Sequence, residues 1–107
     1  MAFTVYILAS GRNGTIYIGH TDDLYRRMVE HREHHFKGFT AKYRVSHLVW
    51  FGEHEDRHTA FLRERRMKRW RRVWKLELIE RLNPEWRDLF LDMEVVLDTA
   101  GSPLSRG

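Results

Sequence analysis

Seven consecutive residues near the start of the chain, Phe3-Thr4-Val5-Tyr6-Ile7-Leu8-Ala9, are almost all β-branched, aromatic or aliphatic, at odd and even positions alike. A strand with two apolar faces has to be covered on both sides. The turn residues Ser10-Gly11-Arg12-Asn13-Gly14 come next, followed by a second strand-like run, Thr15-Ile16-Tyr17-Ile18-Gly19-His20. The five-residue link makes 3–20 a β-hairpin. With 107 residues in all, the chain supports one domain that can bury a real core, with little left over for large insertions.

The remaining elements follow from pattern. Thr21-Asp22-Asp23 offers an N-cap and first-turn negative charge for a helix over about 22–34. Its face carries Leu24, Arg27, Met28 and His31 at i, i+3, i+4, i+7. Residues 36–45 read as an exposed basic and aromatic loop. Residues 46–52 read as a third strand. Asp56 or Thr59 can cap a second helix running to about 70, and a third helix, 72–82, stops at Asn83-Pro84. Glu85 to Phe90 reads as a short turn that packs Trp86 and Leu89, and residues 99–107 as a disordered tail. The order is ββαβαα, an α/β sandwich with a small sheet. The domain is expected over 1–90, with an acidic segment and flexible tail over 91–107.

Polar residues on apolar stripes carry the functional information. Arg27 and His31 share the inward face of the first helix, and Glu64 takes an inward slot between Ala60 and Met67 on the second. A buried unpaired carboxylate costs several kcal/mol, so Glu64 needs a cation, an arginine or a cleft. The structural alternative is a plain Arg27–Glu64 ion pair at the core edge. On the second strand, Tyr17 and Gly19 share one face, and Ile16, Ile18 and His20 share the other. A strand glycine before a capped helix marks either close ligand approach or simple packing.

Tyr17-Ile18-Gly19, ten residues before Arg27 and fourteen before His31, resembles the signature of the GIY-YIG endonuclease superfamily. Thr4-Val5-Tyr6 resembles its first half-motif, with Thr4 in place of a glycine. Arg63-Glu64-Arg65 resembles the helix that carries the family's acidic metal ligand. Phe39-Thr40-Ala41-Lys42-Tyr43 and Asn83-Pro84-Glu85-Trp86 are similar to segments of its small stand-alone bacterial branch. The resemblance implies a three-stranded antiparallel sheet flanked by helices, and divalent-metal-dependent cleavage of phosphodiesters. It implies that Glu64 holds one Mg²⁺ or Mn²⁺ through a water-rich shell. Arg27 would neutralise the scissile phosphate, and Tyr17 would orient or deprotonate the attacking water. His31 would serve as a hydrogen-bond or proton-transfer group, with Tyr6 buttressing Tyr17. His20 follows the motif where some relatives keep a lysine.

Charge supports a polyanion partner. Residues 1–75 hold 16 basic and 8 acidic residues, and residues 76–107 hold 3 and 7. Seven Lys/Arg crowd Arg63 to Arg72, either as a phosphate-tracking surface or as a solvated face. Arg26, Lys42, Arg63 and Lys68 are the expected nucleic-acid contacts, with DNA favoured over RNA. Phe39 and Tyr43 are candidates for base stacking. Trp70 and Trp74 read as core.

With no cysteine, disulfide frameworks and thiol chemistry are excluded, the cytoplasm is the expected setting, and the metal is expected to be oxygen-ligated. Apolar runs fall short of the ~20 residues of a membrane span, so no membrane association is expected, and no small-molecule cofactor. Nothing in the pattern fixes an oligomeric state. His54-Glu55-Asp56-Arg57-His58 matches the letters of a zinc-protease helix but spans a strand-to-helix connection. His31, His34 and His35 form a second loose histidine cluster. The leading expectation is a nuclease on single-stranded or structured DNA. The alternatives are a non-catalytic nucleic-acid-binding module and a protein-interaction adaptor.

Overall fold

The computed structural model describes residues 2–33 and 45–91. Strands β1 (Phe3–Ala9), β2 (Ile16–Thr21) and β3 (His47–His54) form one antiparallel sheet in the order β2–β1–β3. Helix α1 (Leu24–Arg32) lies between β2 and β3 in sequence, and α2 (Arg57–Arg69) and α3 (Arg72–Leu82) follow β3. The observed order is the ββαβαα of the sequence pattern, and the sheet is the three-stranded antiparallel one that the resemblance implied.

β1 is the central strand, and its two apolar faces have separate partners. Val5, Ile7 and Ala9 pack with Ala60 and Met67 of α2 and Ile79 of α3. Tyr6 and Leu8 pack with Met28 of α1, Leu48, Val45 and Phe90. Burial of Val5 through Ala9 is essentially complete, at about 1.5–3 kcal/mol for each large apolar side chain. β3 accommodates one extra residue opposite Ile7 and Leu8 of β1: Ile7 pairs with Trp50 and Leu8 with Leu48. This bulge lets both Val49 and Trp50 join the face covered by α2 and α3.

The connections have identifiable causes. In the β1–β2 turn, Asn13 takes a positive φ of 57° and the Ser10 Oγ accepts from the Thr15 N–H at 3.0 Å. A Cβ on Gly14 would stand 2.3 Å from that same Oγ, so a larger residue there would turn the Ser10 hydroxyl out of its bond to Thr15. Asp23 caps α1 by accepting from the Arg26 N–H at 3.1 Å. Asp56 caps α2, accepting from the Thr59 N–H at 2.8 Å, and those bonds hold its carboxyl below the usual range. Asn83 closes α3 and is buried; its amide donates to the carbonyls of Val49 at 3.1 Å and Arg87 at 2.9 Å. It is therefore a structural staple joining the end of α3 to β3.

The α1–β3 connection beyond Glu33 falls largely outside the described residues, including His34, His35, Phe39, Lys42 and Tyr43. The segment 92–107 falls outside them too. No described helix is long and apolar enough to cross a membrane. His54 ends β3 while His58 stands in the first turn of α2, so the zinc-protease letters do not lie on one helix. Trp74 corrects the sequence expectation: it is 50% exposed, because the chain breaks helix at Trp70-Arg71 and α3 starts afresh in a new direction. Trp70 does pack against the core.

Candidate active site

Four of the expected residues converge on the α1 side of the sheet. Tyr6 and Gly19 are direct cross-strand partners, so the Tyr6 ring lies across a position that has no side chain. Tyr17 stands on the same face, with its ring centroid 6.3 Å from that of Tyr6. His31, one turn beyond Arg27 on α1, completes a triangle of rings, 6.0 Å from Tyr6 and 5.7 Å from Tyr17. The Tyr6 hydroxyl and His31 Nε2 are 3.3 Å apart. The Arg27 charge acts on the Tyr6 phenol, and Arg27 forms an ion pair with Glu30 at 3.6 Å.

Burial and charge fix the proton states of this cluster. Burial is the main cause that pushes the Tyr6 phenol above its ordinary range, so Tyr6 keeps its proton. Burial first, and the Arg27 charge second, lower His31 to about 4. His31 is thus neutral near pH 7.

Gly19 is required by this packing. A Cβ there would lie 2.8 Å from the Tyr6 Oη, 2.9 Å from its Cζ and 3.1 Å from Tyr17 Cε2. Gly19 therefore brings the two tyrosines together, and close packing rather than ligand approach accounts for it.

Glu64 comes from the other layer, on α2, and is 9% exposed. One carboxylate oxygen is bonded by His20 Nδ1. The other pairs with Lys68 Nζ at 2.5 Å, one turn on. Burial works against its charge, but the bonds from His20 and Lys68 outweigh it and hold the carboxyl below its usual range. The Arg27–Glu64 pair anticipated as the structural alternative is thus not how Glu64 is held. Its charge nonetheless bears on Tyr6, raising the phenol further. Along the edge strand β2 runs an open cavity of about 300 Å³ lined by Ile16, Tyr17, Ile18, Lys68 and Lys75. It meets Tyr17 from one layer and the Glu64 partner Lys68 from the other.

The sequence places His20 after the motif without giving it a role, and the structure sets it at Glu64. The available signal was its parity: it shares a face with Ile16 and Ile18, the face that α2 covers. Of the expected nucleic-acid contacts, Arg26 is exposed and already paired with Asp22 at 3.4 Å and Asp23 at 3.7 Å. The Arg63 guanidinium lies over the Trp70 ring, 5.4 Å from its centroid. Lys68 stands at Glu64, and Lys42 lies outside the described residues.

Among the described residues, no group of three or more His, Asp or Glu side chains is arranged to hold a metal. The donor set at the cleft is one ionised carboxylate, Glu64. That suits a hard cation which keeps most of its water shell, such as Mg²⁺ or Mn²⁺.

The GIY-YIG catalytic domain family matches residues 2–77. The chain belongs to this family, which is a nuclease family whose members generally depend on a divalent metal. The solution NMR structure of a UPF0213 protein from Bacillus halodurans is similar at 26% sequence identity, covering 75% of this chain and 84% of that chain, with a TM-score of 0.47. No curated protein sequence matches the chain significantly.

Proposed function

We propose that this protein is a divalent-metal-dependent endonuclease that hydrolyses phosphodiester bonds in DNA, favouring single-stranded or structured substrates. The observation that carries the reading is the pairing across β2 of two unlike groups. On one side is the interlocked Tyr6–Tyr17–His31 cluster with Arg27. On the other is a buried carboxylate kept ionised. Phosphodiester hydrolysis needs a water activator, a cation for the phosphate and a metal ligand, and these residue types supply all three. Binding alone has no need of an inward carboxylate.

In this reading Tyr17 orients or deprotonates the attacking water. Tyr6 holds the Tyr17 ring in place from the neighbouring strand. His31, neutral and hydrogen-bonded to Tyr6, fixes the Tyr6 hydroxyl. Arg27 neutralises charge on the scissile phosphate. Glu64 would hold the Mg²⁺ or Mn²⁺, with His20 and Lys68 setting its orientation. The divalent ion, when bound, supplies Lewis acidity toward the phosphate oxygens. A small cleft of this kind grips a backbone and reads few base edges. The nuclease domain is taken to span residues 1–90, with 91–107 as an acidic appendage, and the cysteine-free composition favours a cytoplasmic setting.

A second reading is a binding module that keeps the basic surface without cutting. The engagement of both Glu64 oxygens by His20 and Lys68 favours it. Incubating labelled single-stranded, branched and duplex DNA with Mg²⁺ or Mn²⁺, with Glu64→Ala alongside, separates the two. The nuclease reading expects metal-dependent cutting that the substitution removes while binding survives.

A further inference from the structure

Near the cleft, at the corner between α2 and α3, stands an aromatic pair with no place in the cleavage chemistry. Trp70 closes α2 and packs against the core. Trp74, in the first turn of α3, stands edge-on to it with centroids 6.4 Å apart and planes at 75°. Trp74 is not core: half of its surface is open to solvent. The Arg71 guanidinium lies over it, 5.7 Å from the ring centroid, and Arg63 lies over Trp70.

The corner is rigidly placed. Arg72 donates to the carbonyls of Asn13 at 2.9 Å and Gly14 at 2.7 Å, pinning the start of α3 to the β1–β2 turn. Lys75 donates to the Lys68 carbonyl at 3.2 Å, tying α3 back to α2. Lys75, the residue next to Trp74, lines the cavity that contains Tyr17 and Lys68. Trp74 precedes Lys75 on α3, so the exposed indole stands one residue from the lining of that cavity.

We propose that Trp74, backed by Trp70 and flanked by Arg71, is a stacking platform for an unpaired base of single-stranded DNA, gripped beside the cleft. An exposed indole next to arginines is costly to leave in water and is suited to the face of a base. A charged groove with aromatic side chains is how single strands are held without reading sequence. The run of Lys/Arg from Arg63 to Arg72 matches the charge of the phosphates that such a strand brings. In a duplex the base faces are already stacked, so the platform selects unpaired strand. This rests on the nuclease reading for a strand in the cleft, but its test does not depend on cleavage.

The test uses the full chain carrying Glu64→Gln, so that nothing is cut, and fluorescein-labelled dT12, U12 and a 12-base-pair duplex without overhangs, read by anisotropy at fixed salt. Trp74→Ala is expected to weaken dT12 binding about tenfold, within the range of one stacked base, and to change duplex binding less than twofold. Trp74→Phe is expected to recover most of the loss. Equal dT12 affinity for wild type and Trp74→Ala overturns the platform. An equal loss on dT12 and duplex also overturns it, since that assigns Trp74 to general charge presentation or to the fold. A loss confined to U12 overturns the assignment to DNA. If the wild-type chain binds as expected yet cuts nothing with either metal, the nuclease reading falls and the platform stands.

Discussion

The Tyr6 hydroxyl lies 3.3 Å from His31 Nε2, and this bond joins the central strand of the sheet to the helix that carries Arg27. It ties proton chemistry to folding. The His31 ring is buried and its pKa is lowered to about 4, so the unfolded chain takes up a proton near the ordinary value of about 6.5 while the folded chain does not. His31 therefore makes the protein less stable as pH falls from about 6.5 to 4, by about 3 kcal/mol at the lower end. Urea melts of wild type and His31→Gln across that window should show a steeper fall for wild type. A His31 ring resonance that titrates near 6.5 by NMR would contradict this.

Gly19 decides whether the two tyrosines can stand together. Its substitution by alanine places a carbon 2.8 Å from the Tyr6 hydroxyl oxygen and 3.1 Å from the Tyr17 ring. Both rings must move, at an expected cost of about 1–3 kcal/mol in stability. A shift of about 1 Å at a catalytic group costs about 100-fold in rate. Gly19→Ala should therefore fold, with a lower melting temperature, and turn over on the order of 100-fold more slowly. Wild-type turnover in a folded variant would show that the Tyr6–Tyr17 spacing is irrelevant.

Much of this architecture is legible in the amino-acid sequence. The seven-residue apolar strand demands cover on both faces, and Val5, Ile7 and Ala9 on one side and Tyr6 and Leu8 on the other have it. Helix α3 begins and ends where the pattern puts it, because Asn83-Pro84 is a local stop. α1 is shorter than expected, since Asp23 rather than Thr21 makes the cap. The bulge at Val49 is not legible, because it depends on register against β1, a long-range relationship. The bond between His20 and Glu64 joins residues 44 apart, which no local periodicity reveals. Trp74 is misplaced by the pattern, because a helical spacing from Trp70 does not carry across a helix break. Of the expected site, Tyr6, Tyr17, Arg27 and His31 do come together, while Glu64 lies on α2 against His20 and Lys68.

His20 should matter to the metal rather than to the fold. Its Nδ1 bonds Glu64, and outer partners of a metal ligand typically contribute 10- to 100-fold in affinity or activity. His20→Ala should raise the Mg²⁺ or Mn²⁺ concentration needed for half-maximal cleavage by about tenfold. His20→Asn, which keeps a donor close to the same place, should recover part of it. Identical metal titrations for wild type and His20→Ala would remove His20 from the site.

Salt dependence separates cations that meet phosphate from those already engaged. Arg63 stacks on Trp70 with its charge available, whereas Arg26 is paired with Asp22 and Asp23. Arg63→Ala should lower the slope of log affinity against log salt by about 0.7–0.9 on single strands. Arg26→Ala should change it less. The reverse ranking would move the strand's path to the start of α1.

In the proposed function, Glu64, held ionised by His20 and Lys68, completes a phosphodiester-cleaving site with Tyr17 and Arg27. The most direct measurement is single-turnover cleavage of labelled single-stranded and branched DNA with Mg²⁺ or Mn²⁺, by wild type and Glu64→Ala purified in parallel. Cutting by wild type should disappear with chelator and fall at least about 100-fold in Glu64→Ala, since a catalytic metal contributes several kcal/mol, with DNA binding retained. Equal cutting by the two proteins, or none by wild type with either metal on any of these substrates, would contradict this function.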